Sequence, residues 1–222
     1  MIPDVQPTRS VVAAGRTAMC VHAVILAAGR GARAGGPKAL LTLEGETFLA
    51  RVARLLRRPG VERVTAVLGH DAERVRLETA LPPDVAVIVN TRHGEGMLTS
   101  ILVGLDDAEA SGADAILLHP VDHPLIDPAT VDAVIGALGR GSPIAVPSHD
   151  GRRGHPGGFA RAAWAALRAV APDEGARGVL ARHPEWIEHV PAGEECVLGV
   201  NTNEDYERIK QRQKQRKFDR PD

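Results

Sequence analysis

An apolar run from Val21 to Ala28 opens directly into a loop with glycines at 29, 31, 35 and 36, arginines at 30 and 33, and Pro37-Lys38 at its end. No other stretch constrains the fold as much. Glycines let backbone N–H groups turn inward and approach an anion closely. The arginines and the lysine bring fixed positive charge that suits phosphate oxygens. A buried strand that delivers such a loop at its C-terminal end is where open α/β sheets bind ligands. The segment therefore predicts a polyphosphate site near the N-terminus, on an α/β sheet.

Two common phosphate motifs do not fit. A P-loop ends in Gly-Lys-Ser/Thr, whereas here Pro37 separates Gly36 from Lys38 and Ala39 replaces the metal-holding hydroxyl. Gly29 to Ala34 reads G-x-G-x-x-A on paper, the dinucleotide fingerprint. That fingerprint needs a helix starting inside it, which Gly35-Gly36-Pro37 would break at once. The acidic residue expected about 20 positions on is also missing: the second strand-like run, Val64 to Leu68, ends in Gly69-His70.

The chain has 222 residues, a formal net charge of −1 and 44% hydrophobic residues, so it suits one soluble domain with a substantial core. Aromatics make up only 3%, which argues against a stacking platform for nucleic acid. No apolar run reaches membrane-spanning length. Pro, Asp, Gln and Arg interrupt residues 1–20, which lack a signal-peptide core and read as a loose N-terminal extension, with Met19 as an alternative start. Cys20 and Cys196 match no metal spacing, and two lone cysteines suit a reducing cytoplasm.

Strand-like runs at 22–28, 62–68, 85–90 and 113–119 alternate with helical patterns at about 47–58, 71–80, 97–110 and 128–139, the signature of a mostly parallel sheet between helix layers. Segment 143–160 is rich in Gly, Pro, His and Arg. Helices are expected at 161–170 and 176–183, short strands at 186–190 and 195–200, and a last helix from about 203. The expected domain spans 21–210, with a nucleotide half at about 21–140 and an acceptor half at about 141–210. Residues 211–222 form a basic, polar tail that suits a solvated helix end.

Asp122 follows the buried-strand run Ala115 to Leu118, within His119-Pro120-Val121-Asp122-His123-Pro124. A carboxylate at the end of a central strand is placed to hold a divalent cation against phosphates; the competing reading is a cap before Pro124. His119 and His123 could bind a transition metal with Asp122, but the prolines make that spacing awkward and an oxygen-rich Mg²⁺ site suits phosphates better. Asp127 is expected to cap a helix opening at Pro128. Thr202 reads as an N-cap, with Asp205 completing a capping box. Arg152 and Arg153, beside a Gly-rich turn, suit an anion, with a solvated loop nearly as good a reading. Met97 alone reads as core, Ser100 as a helix hydroxyl bonding back to its own backbone, and Asp173 as a helix N-cap.

Leu26-Ala27-Ala28-Gly29, Arg33, Gly35 and Pro37-Lys38 together resemble the L-A-A-G-x-x-x-R-x-G-x-P-K signature of nucleotidylyltransferases, and most closely the MobA-like NTP-transferase group. Ala34 stands where that group usually has Met. Asp122 resembles the group's D-x-P metal ligand. Gly94 to Gly104 resembles its G-M-x-x-S segment, Gly151 to Pro156 its G-x-x-G-H-P stretch, Asp173 to Arg177 its D-x-G-A-R turn, and Val200 to Tyr206 its closing V-N-T-P-E-D segment. The resemblance runs from about residue 22 to 209.

The resemblance implies a three-layer, nucleotide-diphospho-sugar-transferase-like (Rossmann-like) α/β fold and transfer of a nucleotidyl group from an NTP to a phosphorylated small-molecule acceptor, with loss of pyrophosphate. Leu26, Ala27, Ala28, Gly29, Arg30, Gly31, Arg33, Lys38, Gly96, Met97 and Ser100 would bind the nucleotide. Arg33, Lys38 and Asp122 would carry the chemistry, Asp122 and Asn201 would hold Mg²⁺, and Arg153, His155 and Arg177 would meet the acceptor. The L-A-A-G form points to CTP, and the G-M-x-x-S and G-H-P segments to a molybdopterin-like acceptor. The expected protein is a cytoplasmic monomer or homodimer with no nucleic-acid or membrane partner. Three alternatives stay open: a sugar-1-phosphate nucleotidylyltransferase, a nucleotide-binding regulatory module that the neutral Asn201 would suit, and a Rossmann oxidoreductase.

Overall fold

The computed structural model describes residues 19–31 and 35–219. Arg33, most of the expected extension at 1–20 and the last three residues of the expected tail lie outside these. In chain order the strands and α-helices are β1 (Val21–Ala27), β2 (Thr42–Leu43), β3 (Glu46–Thr47), α1 (Phe48–Leu56), β4 (Val61–Leu68), α2 (Ala72–Glu78), β5 (Val85–Val89), α3 (Met97–Ala110), β6 (Ala115–Pro120), α4 (Pro128–Gly139), β7 (Ile144–His149), β8 (Arg152–Arg153), β9 (Gly157–Ala160), α5 (Trp164–Ala169), α6 (Ala176–Arg182), β10 (Ile187–Pro191) and α7 (Asn203–Asp219).

The main sheet runs β10-β7-β9-β6-β1-β4-β5, with β8 paired to β7. β1 lies parallel to both β4 and β6, and β9 is antiparallel to its two neighbours. Every residue of β1 is buried, as expected of a strand covered on both faces. Val21, Ala23, Ile25 and Ala27 face a core shared with α1, α4 and Ile209 of α7. Val24 and Leu26 face a second core with α3, α5 and α6. That alternation makes the three layers.

After β1 the chain builds β4 and β5 on one side, then crosses through α3 to lay β6 on the other. The carboxyl ends of β1 and β6 thus flank a topological switch point, the crevice where open α/β sheets bind ligands. Register then decides which residues meet. Leu26 pairs with Pro120, and the Val121 N–H donates to the Leu26 carbonyl at 3.1 Å, so the glycine loop and Asp122 emerge side by side.

α3 packs close against β1 because Gly104 has no side chain: a Cβ there would fall 2.4 Å from Val24 Cγ1. Gly104→Ala should therefore destabilise the protein by about 1–3 kcal/mol, the usual range for overpacking, read from urea unfolding. Adding Val24→Ala to Gly104→Ala should recover part of that loss. No loss in the single variant would mean that α3 shifts freely.

One stretch gains elements that the sequence reading left unassigned, and one expectation is corrected. Segment 143–160 contains three strands, β7, β8 and β9, despite its Gly, Pro and Arg content. Gly158 packs where a Cβ would lie 2.7 Å from Val134 Cγ1 and 2.8 Å from Leu138 Cδ1, so glycine lets α4 sit on β9. The strand expected at 195–200 is absent; Glu194–Val197 is a 3₁₀ helix. The caps expected for α4 and α7 agree with the sequence. Asp127 accepts from the Ala129 N–H, and Asp205 and Thr202 bond reciprocally across the first turn of α7. The basic segment continues α7 as far as Asp219.

Candidate active site

The loop after β1 turns on Gly31, whose φ of +59° is left-handed and whose Cβ would sit 1.9 Å from the Gly36 carbonyl oxygen. Only glycine fits there. The Gly36 N–H closes the turn on the Gly31 carbonyl at 3.3 Å. No α-helix opens within the described part of this loop; a 3₁₀ helix over Lys38–Leu40 follows Pro37. The dinucleotide fingerprint accordingly lacks its helix.

Lys38 reaches across the sheet. Its Nζ donates to Asp122 Oδ2 at 2.7 Å and to Asn201 Oδ1 at 2.9 Å, joining positions 84 and 163 residues away. The Lys38 and Asp122 side chains are 19% and 20% exposed. Asn201 is brought there by the Val200 N–H, which donates to the Asp122 carbonyl at 2.9 Å, and by Asp205, which accepts from the Asn201 and Thr202 N–H groups at 3.0 Å. Asp122 therefore faces a cation; it does not cap a turn before Pro124.

Two clefts meet at this point. The first, about 420 Å³, is lined by Leu26, Ala27, Ala28, Gly29, Gly31 and Lys38 and by Gly96, Met97 and Ser100 at the start of α3. Arg30 is exposed and does not line it. The second, about 1160 Å³, is lined by Arg153, His155 and Arg177 over an apolar floor that includes Leu118, Val146 and Phe159. Leu26, Gly94, Gly96, Met97, Pro120, Asp122 and Asn201 border both. Met97 is 60% exposed, so it is a cleft residue and not core. Asp173 lines the second cleft and does not cap a helix: the N-cap of α6 is Gly175, with no side-chain cap bond.

Several contributors escaped the sequence reading. Asn90, buried at the end of β5, donates to Thr99 Oγ1 at 2.8 Å and Ser100 Oγ at 3.0 Å, so Ser100 is oriented by a neighbouring strand end. His93 lines the first cleft, and Gly69 admits it: a Cβ at 69 would lie 2.6 Å from the His93 Cβ. The glycine that ends the β4 run was the available signal.

Behind Asp122 three imidazoles gather. The ring centroids of His123 and His155 are 4.6 Å apart, and that of His119 lies 6.3 and 6.2 Å from them. His119 Nε2 pairs with the His123 carbonyl at 3.0 Å, while Nδ1 of both His119 and His123 is buried without a hydrogen-bond partner. Burial, with repulsion from His155 second, lowers the pKa of His119 and His123 to about 3. Burial lowers His155 to about 4 against the pull of Asp122. Among the described residues no group of three or more His, Cys, Asp or Glu is arranged to hold a metal, so the transition-metal reading of His119 and His123 finds no support.

Asp122 Oδ2 and Asn201 Oδ1 converge on one cationic atom. Two oxygen donors of this kind fit a small hard dication that keeps waters and phosphate oxygens as its other ligands.

The model of the MobA-like NTP transferase domain matches residues 23–187. The chain belongs to this family. It is 35% identical over 200 residues to the nicotine blue oxidoreductase of Paenarthrobacter nicotinovorans, covering 86% of this chain and 94% of that protein. It is 33% identical over 200 residues to the molybdenum cofactor guanylyltransferase of Cereibacter sphaeroides, covering 86% and 95%. Among solved structures, Rv0371c from Mycobacterium tuberculosis H37Rv superposes with a TM-score of 0.76 at 32% identity, covering 88% and 100%. The same protein was also solved in complex with manganese, with a TM-score of 0.69 at 30% identity. The MobA-like chain described here thus has the nucleotide-diphospho-sugar transferase fold. Among its described residues no helix is long and apolar enough to cross a membrane.

Proposed function

We propose that this MobA-like chain transfers CMP from CTP to a phosphorylated acceptor of the molybdopterin type and releases pyrophosphate. The observation that carries this reading is the junction of two clefts at Asp122 and Asn201. A nucleotidyl transfer needs two substrates end to end, with charge control where they touch.

In this reading the triphosphate lies against the loop N–H groups of Gly29 to Gly31, and the base and ribose against Gly96, Met97 and Ser100. The acceptor's anionic end meets Arg153 and Arg177, and its body lies on Val146 and Phe159. An acceptor phosphate oxygen attacks the α-phosphorus, a new P–O bond forms, and the bond to the leaving pyrophosphate breaks. No general base is needed, because the phosphate is already ionised. Alignment and charge stabilisation supply the rate. Asp122 and Asn201 would hold Mg²⁺, which screens the charge on the two reacting phosphates when bound. Arg33, by the loop signature, would join Lys38 in stabilising the pyrophosphate.

CTP is favoured because Ala27 and Ala28 line the strand end where the base enters, and a methyl group narrows that space relative to glycine. With Mg²⁺, each of four NTPs and a panel of phosphorylated acceptors, pyrophosphate release should give a kcat/KM at least tenfold higher for CTP than for GTP. Discrimination is the ratio of those values. A GTP preference, or turnover only with a sugar 1-phosphate, would overturn the assignment. The name of the Paenarthrobacter relative favours a second reading, reduction of an organic acceptor. Oxidation of a nicotinamide cofactor without pyrophosphate release would establish it.

A further inference from the structure

We propose that Lys38 is a built-in competitor for the cation site at Asp122 and Asn201. A divalent metal alone then binds there weakly, and binds tightly only together with a nucleotide whose phosphates draw the lysine away. This rests on the reading of Asp122 and Asn201 as cation ligands.

The geometry is direct. One ammonium nitrogen lies 2.7 Å from the Asp122 oxygen and 2.9 Å from the Asn201 oxygen, so it engages the same two atoms that would bind a dication. The charge count points the same way. Of the described residues bordering both clefts, Asp122 is the only ionisable one, and Lys38 already neutralises it. A dication would have to expel that ammonium or stand beside it, and like charges a few ångströms apart repel strongly at a partly buried site.

The lysine also has somewhere to go. Its backbone is fixed, since the Leu41 N–H donates to the Lys38 carbonyl at 3.1 Å and Ala39 is buried. The four-carbon stem is free to pivot. Lys38 lines the first cleft together with Gly29 and Gly31, so phosphates seated on the loop offer the ammonium a second set of oxygens within the same reach. Nucleotide and metal then raise each other's affinity, and the coupling is reciprocal. A lysine that served phosphates alone would have no influence on metal binding before nucleotide arrives.

Mn²⁺ alone is the probe, titrated into the full chain without nucleotide and followed by calorimetry and by the paramagnetic signal of free Mn²⁺. Lys38→Met keeps the stem and removes the charge. It should bind Mn²⁺ at least tenfold more tightly than wild type, and adding Asp122→Asn to it should abolish that gain. Equal or weaker binding by Lys38→Met, with Asp122→Asn still lowering the affinity, would overturn the competitor role and leave the ligand assignment standing. Mn²⁺ binding indifferent to Asp122→Asn would overturn both. A measurement on wild type covers the case in which the variant misfolds. The other lysines are Lys210, Lys214 and Lys217, so amine acylation read by peptide mass isolates Lys38. Its labelling should rise at least severalfold on Mn²⁺ saturation while the other three stay constant. Unchanged Lys38 labelling would sink the proposal.

Discussion

Asp122→Ala should lower the rate of nucleotidyl transfer by about 10²-fold or more without unfolding the protein. Asp122 is the single ionisable side chain among the described residues that border both clefts. Its removal deletes the charge that would fix a cation between the two reacting phosphates, an effect of several kcal/mol. The fold should survive, because the lost ion pair is partly solvated, with both side chains about one-fifth exposed, and pairs of that kind contribute little to stability. Asn201→Asp should keep activity and Asn201→Leu should lose it, since an oxygen donor survives only the first change. Initial rates of pyrophosphate release, with circular dichroism as the fold control, check these variants. A rate for Asp122→Ala above a tenth of wild type, a cost below about 1.4 kcal/mol, would remove Asp122 from the cation site.

The second large effect is acid lability. His22, 1% exposed in β1, pairs with Thr65 Oγ1 at 2.8 Å and lies 3.3 Å from Asp107 Oδ2 and from Ser111 Oγ. Burial lowers its pKa from 6.5 to about 4, although Asp107 pulls upward; Arg63 adds to the lowering. His119 falls to about 3 for the same first reason. A histidine with a native pKa below its unfolded value binds a proton on unfolding between the two. Its stabilising contribution is therefore complete above pH ~6.5 and is lost as pH falls toward the native value. Each such proton gives a slope of about 1.4 kcal/mol per pH unit. Together His22 and His119 remove about 5 kcal/mol between pH ~6.5 and ~4.5, against a typical total of about 5–15 kcal/mol. Urea unfolding at pH 7.5, 6.5, 5.5 and 4.5 should show the midpoint fall steeply through the lower three. Stabilities at pH 7.5 and 4.5 within about 1 kcal/mol would show that these imidazoles are charged in the native protein.

What could be read in advance was local. The all-apolar β1 run, the glycine turn, the Asp127-Pro128 start of α4 and the Thr202–Asp205 box of α7 each depend on neighbours within a few residues. Their physics is written in short spacings. That Leu26 to Gly29 and Gly31 open onto a cleft followed from the same signals. In the second half the strand expected at 186–190 is present as β10, but strand content between 143 and 160 was not legible. β7, β8 and β9 lie in a Gly-Pro-Arg-rich stretch whose propensity opposes strands, and only pairing with β6 and packing under α4 override it. The apolar run at 195–200 reads as a strand, yet Glu194–Val197 coils into a 3₁₀ helix.

Short-range pattern thus establishes that a cationic glycine loop follows a buried strand and that a carboxylate follows another. Tertiary structure alone decided how they meet. The Leu26–Pro120 register sets the loop beside Asp122, the Val200 N–H bond to the Asp122 carbonyl brings Asn201 alongside, and Lys38 spans both. The gathering of His119, His123 and His155, the support of Ser100 by Asn90 and the apolar floor from Val146 and Phe159 are of the same kind. Each joins separate strands or loops through the order and register of the sheet, and a one-dimensional pattern carries the period of a strand but not the identity of its neighbour.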